Sequence, residues 1–184
     1  MNQCTVFSER PIPRPLGFLE IWKIGPDGQA TLDAKASGPN LVVDTARKIM
    51  SRLAGGAFPD SGGMPAVIPG VNGDDVPIIT GMPELAVAKM QWGSSNTAPA
   101  AGQTALIAPL GLQKPVSVDY PTPMSVRFIS ILGNADLNGE TLREVVLLTH
   151  SNLVFARKTF VPSGNPPNEK AYAFTWEFRW TINF

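Results

Sequence analysis

The last fourteen residues of the sequence read Ala171-Tyr172-Ala173-Phe174-Thr175-Trp176-Glu177-Phe178-Arg179-Trp180-Thr181-Ile182-Asn183-Phe184. Every even position carries a large apolar side chain, and the odd positions carry small or polar ones. A helix would spread that set around its circumference, whereas a strand gathers it on one face. The stretch therefore predicts a strand with a fully apolar face, each buried ring adding roughly 1.5–3 kcal/mol before ordering entropy is subtracted. At about 3.3 Å per residue, fourteen residues reach roughly 45 Å, more than twice the usual strand. Either a bulge bends the ribbon between sheets or one end packs on another chain. A free Phe184 would leave an aromatic ring in water, so a docked terminus is expected. Trp and Tyr also stack on sugar rings, but strict alternation describes a core face better than a shallow platform.

Upstream, the segments carry the same β signature. Phe18–Ile24 reads as a strand buried largely on both faces, followed by the turn Gly25-Pro26-Asp27-Gly28 and a weaker strand from Gln29 to about Ala36. Strands are expected over Leu85–Trp92, Pro115–Tyr120 and Met124–Leu132, with Thr104–Leu112 an apolar segment of open type. Thr141–Thr149 and Leu153–Phe160 form a hairpin across His150-Ser151-Asn152. One helix is expected, with Val42, Ala46, Ile49, Met50 and Leu53 at three- and four-residue spacing, Asn40 as N-cap and Gly55 as the stop. Together these imply a mainly β protein, an antiparallel sandwich of jelly-roll type with one short helix.

Two segments stand apart. In residues 1–17, Arg10-Pro11-Ile12-Pro13-Arg14-Pro15 places prolines at alternate positions; it removes three backbone donors and predicts an extended arm. Its unfolded entropy is already low, so Pro11, Pro13 and Pro15 make it easy to order against a neighbour; a frayed terminus is the bland alternative. From 55 to 83, twelve of 29 residues are glycine or proline, an insertion that suits packing on an adjacent subunit. The domain proper is then 18–184.

The 184-residue chain has fifteen basic and fifteen acidic residues, zero formal charge and 43% apolar content. It holds 17 glycines and 18 prolines, about one residue in five. Balanced charge without basic clusters argues against nucleic acid and anionic membrane as partners. The single Cys4 allows no intrachain disulfide and no cysteine metal cluster. The opening residues lack a signal-peptide pattern and no run approaches eighteen apolar residues, so synthesis in a cytoplasm is expected.

Catalytic constellations are sparse. His150 is the sole histidine and falls in a predicted turn, while Cys4 lies in the arm. There is no G-x-S-x-G, P-loop, G-x-G-x-x-G or H-E-x-x-H. Asn72-Gly73-Asp74-Asp75 lacks the spacing of a calcium loop. Carboxylate pairs such as Glu140 with Glu144, or Asp74 with Asp75, carry no specific signal. Glu144 shares a strand face with Leu142, Val146 and Leu148; if buried there it needs a cation, and Arg157 on the facing strand is the proposed partner, a solvent-facing Glu144 being the alternative. No catalytic residue, metal or cofactor is expected, and a small-molecule ligand is disfavoured.

In chain order the sequence runs through Asn40-Leu41-Val42-Val43-Asp44, Gln91-Trp92-Gly93-Ser94-Ser95-Asn96-Thr97-Ala98-Pro99 leading to Thr104-Ala105-Leu106, Glu144-Val145-Val146-Leu147-Leu148, Leu153-Val154-Phe155-Ala156-Arg157-Lys158-Thr159-Phe160, and the terminal tryptophan-bearing strand. This order of segments resembles a diffuse family of tailed-bacteriophage virion structural proteins. The resemblance covers roughly 38–184. Trp92-Gly93-Ser94-Ser95 departs from the family's glycine–threonine run. The resemblance implies a non-enzymatic building block of the virion, assembled in the host bacterial cytoplasm, with other virion proteins and its own copies as partners in the neck, collar or tail. Capsid decoration is one alternative, and a carbohydrate-binding module or glycosidase for host surface sugars is one from another class. Phe160, Trp176, Trp180 and Phe184, with Glu144, Arg157 and the arm prolines, are the residues expected to carry structure and assembly.

Overall fold

Nine residues of the alternating stretch form a strand, Thr175–Asn183 (β12). In the computed structural model, which describes residues 16–54, 67–69, 75–77, 85–160, 170 and 173–183, Trp176, Phe178, Trp180 and Ile182 are buried while the odd positions are partly exposed. The ribbon is thus shorter than fourteen residues: Phe174 precedes the strand and is exposed, and Tyr172 and Phe184 lie outside the described residues. β12 pairs without a bulge, along its whole length with Leu16–Ile24 (β1) on one side and from Trp176 to Asn183 with Ser125–Leu132 (β9) on the other. An interior strand needs no bend and no second chain to satisfy its backbone, so within the described residues neither expectation for an overlong strand applies.

The remaining elements in chain order are β2 (Ala30–Leu32), β3 (Gly38–Val42), helix α1 (Asp44–Ala54), β4 (Val67–Pro69), β5 (Asp75–Pro77), β6 (Val87–Gly93), β7 (Pro109–Pro115), β8 (Ser117–Thr122), β10 (Glu144–Thr149) and β11 (Val154–Thr159). The fold is mainly antiparallel β with one short helix. Ten strands form one curled sheet in the order β7-β6-β10-β11-β3-β1-β12-β9-β8, with β2 flanking β1; β4 and β5 pair separately.

β3 joins the two parts of this sheet. β3 pairs with β1 through Gly38–Asn40 and with β11 through Leu41 and Val42. The strands at the two ends of the path, β7 and β8, are joined by Val116 alone, whose N–H donates to Ala88 O at 3.0 Å. Curling brings inner faces together: Trp92 of β6 meets Phe178 of β12 edge-on at 5.3 Å between centroids, and Phe160 lies 6.2 Å from the same ring. The core combines Leu19, Ile21, Met90, Val145, Leu147 and Phe128 with the β12 rings.

Several boundaries differ from the sequence reading. β1 begins at Leu16, taking Leu16 and Gly17 from the arm. Only one face of β1 is deeply buried, through Leu19 and Ile21; Phe18 on the other is 43% exposed. Asn40 is not a helix cap. It sits in β3 against Gly17, where a Cβ would collide with its amide group. Val42 also belongs to β3, and α1 starts at Asp44, whose N–H donates to Ala101 O at 2.9 Å. Sheet pairing with β1 and β11 overrides the helical spacing at these positions. The arm before Leu16 with Pro11, Pro13 and Pro15, and all of the 55–83 insertion except β4 and β5, lie outside the described residues.

Candidate functional site

β10 is buried on both faces. Val145 and Leu147 enter the main core, while Val146 and Leu148 join Val43, Leu106 and Val154 in a second cluster under the 94–108 loop. Glu144 begins this strand and is fully buried beside Arg157 of β11, also fully buried. Arg157 donates to Glu144 Oε2 from Nε at 3.0 Å and from Nη2 at 2.5 Å.

The carboxylate also anchors the loop. Glu144 Oε1 accepts from the N–H of Ala108 at 2.8 Å and of Ser95 at 3.4 Å, and Oε2 accepts from the N–H of Ile107 at 3.3 Å. From the other side, Arg157 Nη1 donates to Thr97 O at 3.0 Å and to Gln103 Oε1 at 2.9 Å. The same Gln103 oxygen accepts from Ala100 N–H at 2.9 Å. The carboxylate accepts five hydrogen bonds and the guanidinium donates four, and such partnering is what lets a buried pair be tolerated. Gly93 is required beneath it: a Cβ there would collide with Glu144 Oε1 and stand 2.5 Å from Ala108 O. With no solvent-facing atom, the pair holds the loop on the sheet and presents nothing to a substrate.

The structure thus brings Glu144 and Arg157 together, and places Phe160, Trp176 and Trp180 in the core. Buried there, these rings are closed to stacking on a sugar. Glu140 is exposed and outside the pair's network, and His150 is exposed in the β10–β11 turn. Among the described residues no group of three or more His, Cys, Asp or Glu could hold a metal, and no helix is long and apolar enough to cross a membrane.

Two other buried lysines escaped the sequence reading. Lys158 donates to Pro39 O at 2.9 Å, and burial pushes its ammonium below the ordinary pKa. Lys170 donates to Asn138 Oδ1 at 3.1 Å; burial lowers its pKa while nearby Asp136 opposes the shift. Both donate to turn and strand oxygens.

The accessible chemistry is at the end of the sheet. All six residues of β8 are exposed, and among the described residues no strand pairs with its outer edge. Tyr120 is 73% exposed, Met124 63%, Ile131 49% and Val118 47%. A shallow groove of about 380 Å³ runs beside it, lined in part by Val116, Ser117, Ile129 and Ile131. Alternation in Ser117-Val118-Asp119-Tyr120 is visible in the sequence; edge position is not, since it follows from long-range pairing.

Compared with known proteins, the chain matches no family model, no curated protein and no solved structure.

Proposed function

We propose that the protein is a non-enzymatic structural component of a tailed-phage virion, an oligomer of the neck, collar or tail region that mediates subunit–subunit assembly. The observation that carries this reading is the β8 edge, unpaired among the described residues, with Val118, Tyr120, Met124 and Ile131 exposed around it. An unpaired strand with apolar neighbours is a template for another chain. The resemblance of residues 38–184 to virion structural proteins points the same way. The curled sheet with its shared aromatic interior is read as a flattened sandwich of jelly-roll type. The buried Glu144–Arg157 pair fits a building block, because it fixes a loop and exposes no reactive group. Other virion proteins and further copies of the chain are the partners in this reading.

The test is quantitative mass spectrometry of purified particles from a phage that encodes the chain. A fixed copy number per particle, in a small multiple set by neck or tail symmetry, supports the reading. Absence from the particle, or a copy number matching the capsid lattice, overturns the neck or tail placement.

A further inference from the structure

We propose that Arg10-Pro11-Ile12-Pro13-Arg14-Pro15 of one copy adds as a strand to the free edge of β8 in a second copy. The inference rests on the assembly reading above and names its partner.

Backbone phase comes first. In an extended strand the N–H and C=O of one residue point the same way, and successive residues alternate. Prolines at 11, 13 and 15 therefore fall on a single side, leaving that side without donors. Arg10, Ile12 and Arg14 keep complete donor–acceptor pairs on the other. Such a segment can pair along one edge and cannot pass the ladder on, so addition stops after one strand. β8 offers the complementary edge over Ser117–Asp119, before the irregularity between Asp119 and Thr122, and among the described residues nothing pairs with it.

Side chains fit the same placement. Proline rings fall on one face of the added strand and Arg10, Ile12 and Arg14 on the other. In the regular part of β8, Val118 lies on one face and Asp119 on the other. Asp119 is held at 3.6 Å from Arg127, with half its side chain exposed. In the strand direction that lays the prolines on the side of Val118, Arg10 and Arg14 come to the side of Asp119. Extended proline segments on aromatic surfaces and strand addition to open edges are both established recognition modes.

Geometry makes the exchange intermolecular. Leu16 is level with Asn183, Asn183 with Ser125, and Ser125 with Thr122. A strand beyond β8 thus lies four ladder spacings from β1, about 19 Å along the sheet. Residues 10–15 span roughly 20 Å when extended, so in one chain the whole run would be used in the crossing and none would remain to pair.

The experiment is sedimentation equilibrium of the full chain and three single variants. Ile12→Pro removes the central donor on the pairing side and is expected to weaken self-association at least about tenfold. Pro13→Ala restores a donor on the outward side only and is expected to leave it within about twofold. Val118→Asp is expected to weaken association like Ile12→Pro. Unchanged association in Ile12→Pro, or equal loss in Pro13→Ala, overturns the inference. Loss in Val118→Asp with Ile12→Pro intact also overturns it, indicating pairing of two β8 edges instead. If the arm fails these tests while the chain is still found in particles at fixed copy number, only the arm exchange falls and the assembly reading stands.

Discussion

Replacing Glu144 by Gln keeps the shape of the side chain and removes its charge. The wild-type carboxylate accepts from Ser95, Ile107 and Ala108 N–H and twice from Arg157. A carboxamide has one acceptor oxygen, so its NH2 must face either the Arg157 guanidinium or the loop amides. Arg157 is then fully buried with no counter-charge, and at least one amide is left without an acceptor. Breaking a buried pair from one side costs about 3–5 kcal/mol, which in a chain of this size lowers the midpoint by roughly 6–20 °C. The assay is urea unfolding at neutral pH with a parallel thermal scan, the urea slope serving to show that the unfolded surface is unchanged. Exchanging both partners, Glu144→Leu with Arg157→Met, is expected to lose at least as much. An apolar pair removes the charge problem but leaves the Ile107 and Ala108 amides and the Thr97 carbonyl without partners. A midpoint shift under about 2 °C for Glu144→Gln, with unchanged slope, refutes the reasoning.

Gly93→Ala should cost more than about 2 kcal/mol in the same urea assay, because its Cβ collides with Glu144 Oε1 and the Ala108 carbonyl; a loss below 0.5 kcal/mol, the range of ordinary surface changes at about ±0.5 kcal/mol, contradicts it. Burial holds the Lys158 ammonium below the ordinary 10.5, so at alkaline pH the unfolded chain binds the proton that the folded chain has released. Stability at this site rises as pH climbs toward 10.5, and wild type should gain on Lys158→Met over that window by at most about 1.4 kcal/mol per pH unit; a constant difference refutes it. Partial burial pushes the Asp136 carboxyl up, but Lys114 at 2.7 Å and the Gly133 N–H outweigh it and hold the group below 3.8. Its contribution is present above pH 3.8 and is lost as pH falls through the lower folded value. Asp136→Asn should therefore lose about 0.5–1 kcal/mol at pH 7 and converge with wild type in acid; a gap that persists at low pH contradicts it.

Local pattern reached as far as local physics decides. The even-numbered rings of β12 had one period and one solution, and the Gly25–Gly28 turn appears with Gly28 at φ 77° and its N–H on Gly25 O. Glu144 and Arg157 were legible as a pair because a hairpin puts them on one face of adjacent strands as diagonal neighbours, Glu144 opposite Thr159 and Arg157 opposite Val146. What failed was long-range. Asn40 and Val42 have helix-start chemistry nearby, yet pairing with β1 and β11 draws them into β3. Nothing local says that the 94–108 loop returns three amides to one carboxylate, since that depends on its path over β10. Phe18 looked as buried as Leu19 because alternation gives the faces of a strand but not which of them is covered. The β8 edge was hidden for the same reason: Val118 and Tyr120 have ordinary strand composition, and only the order of all ten strands leaves them outermost.

Sedimentation equilibrium of the purified full chain over a wide concentration range tests most directly whether this protein works by fitting beside its own copies. A single oligomer that forms with rising concentration and then stops growing is the expected result. A monomer that persists to the highest concentration reached would contradict it.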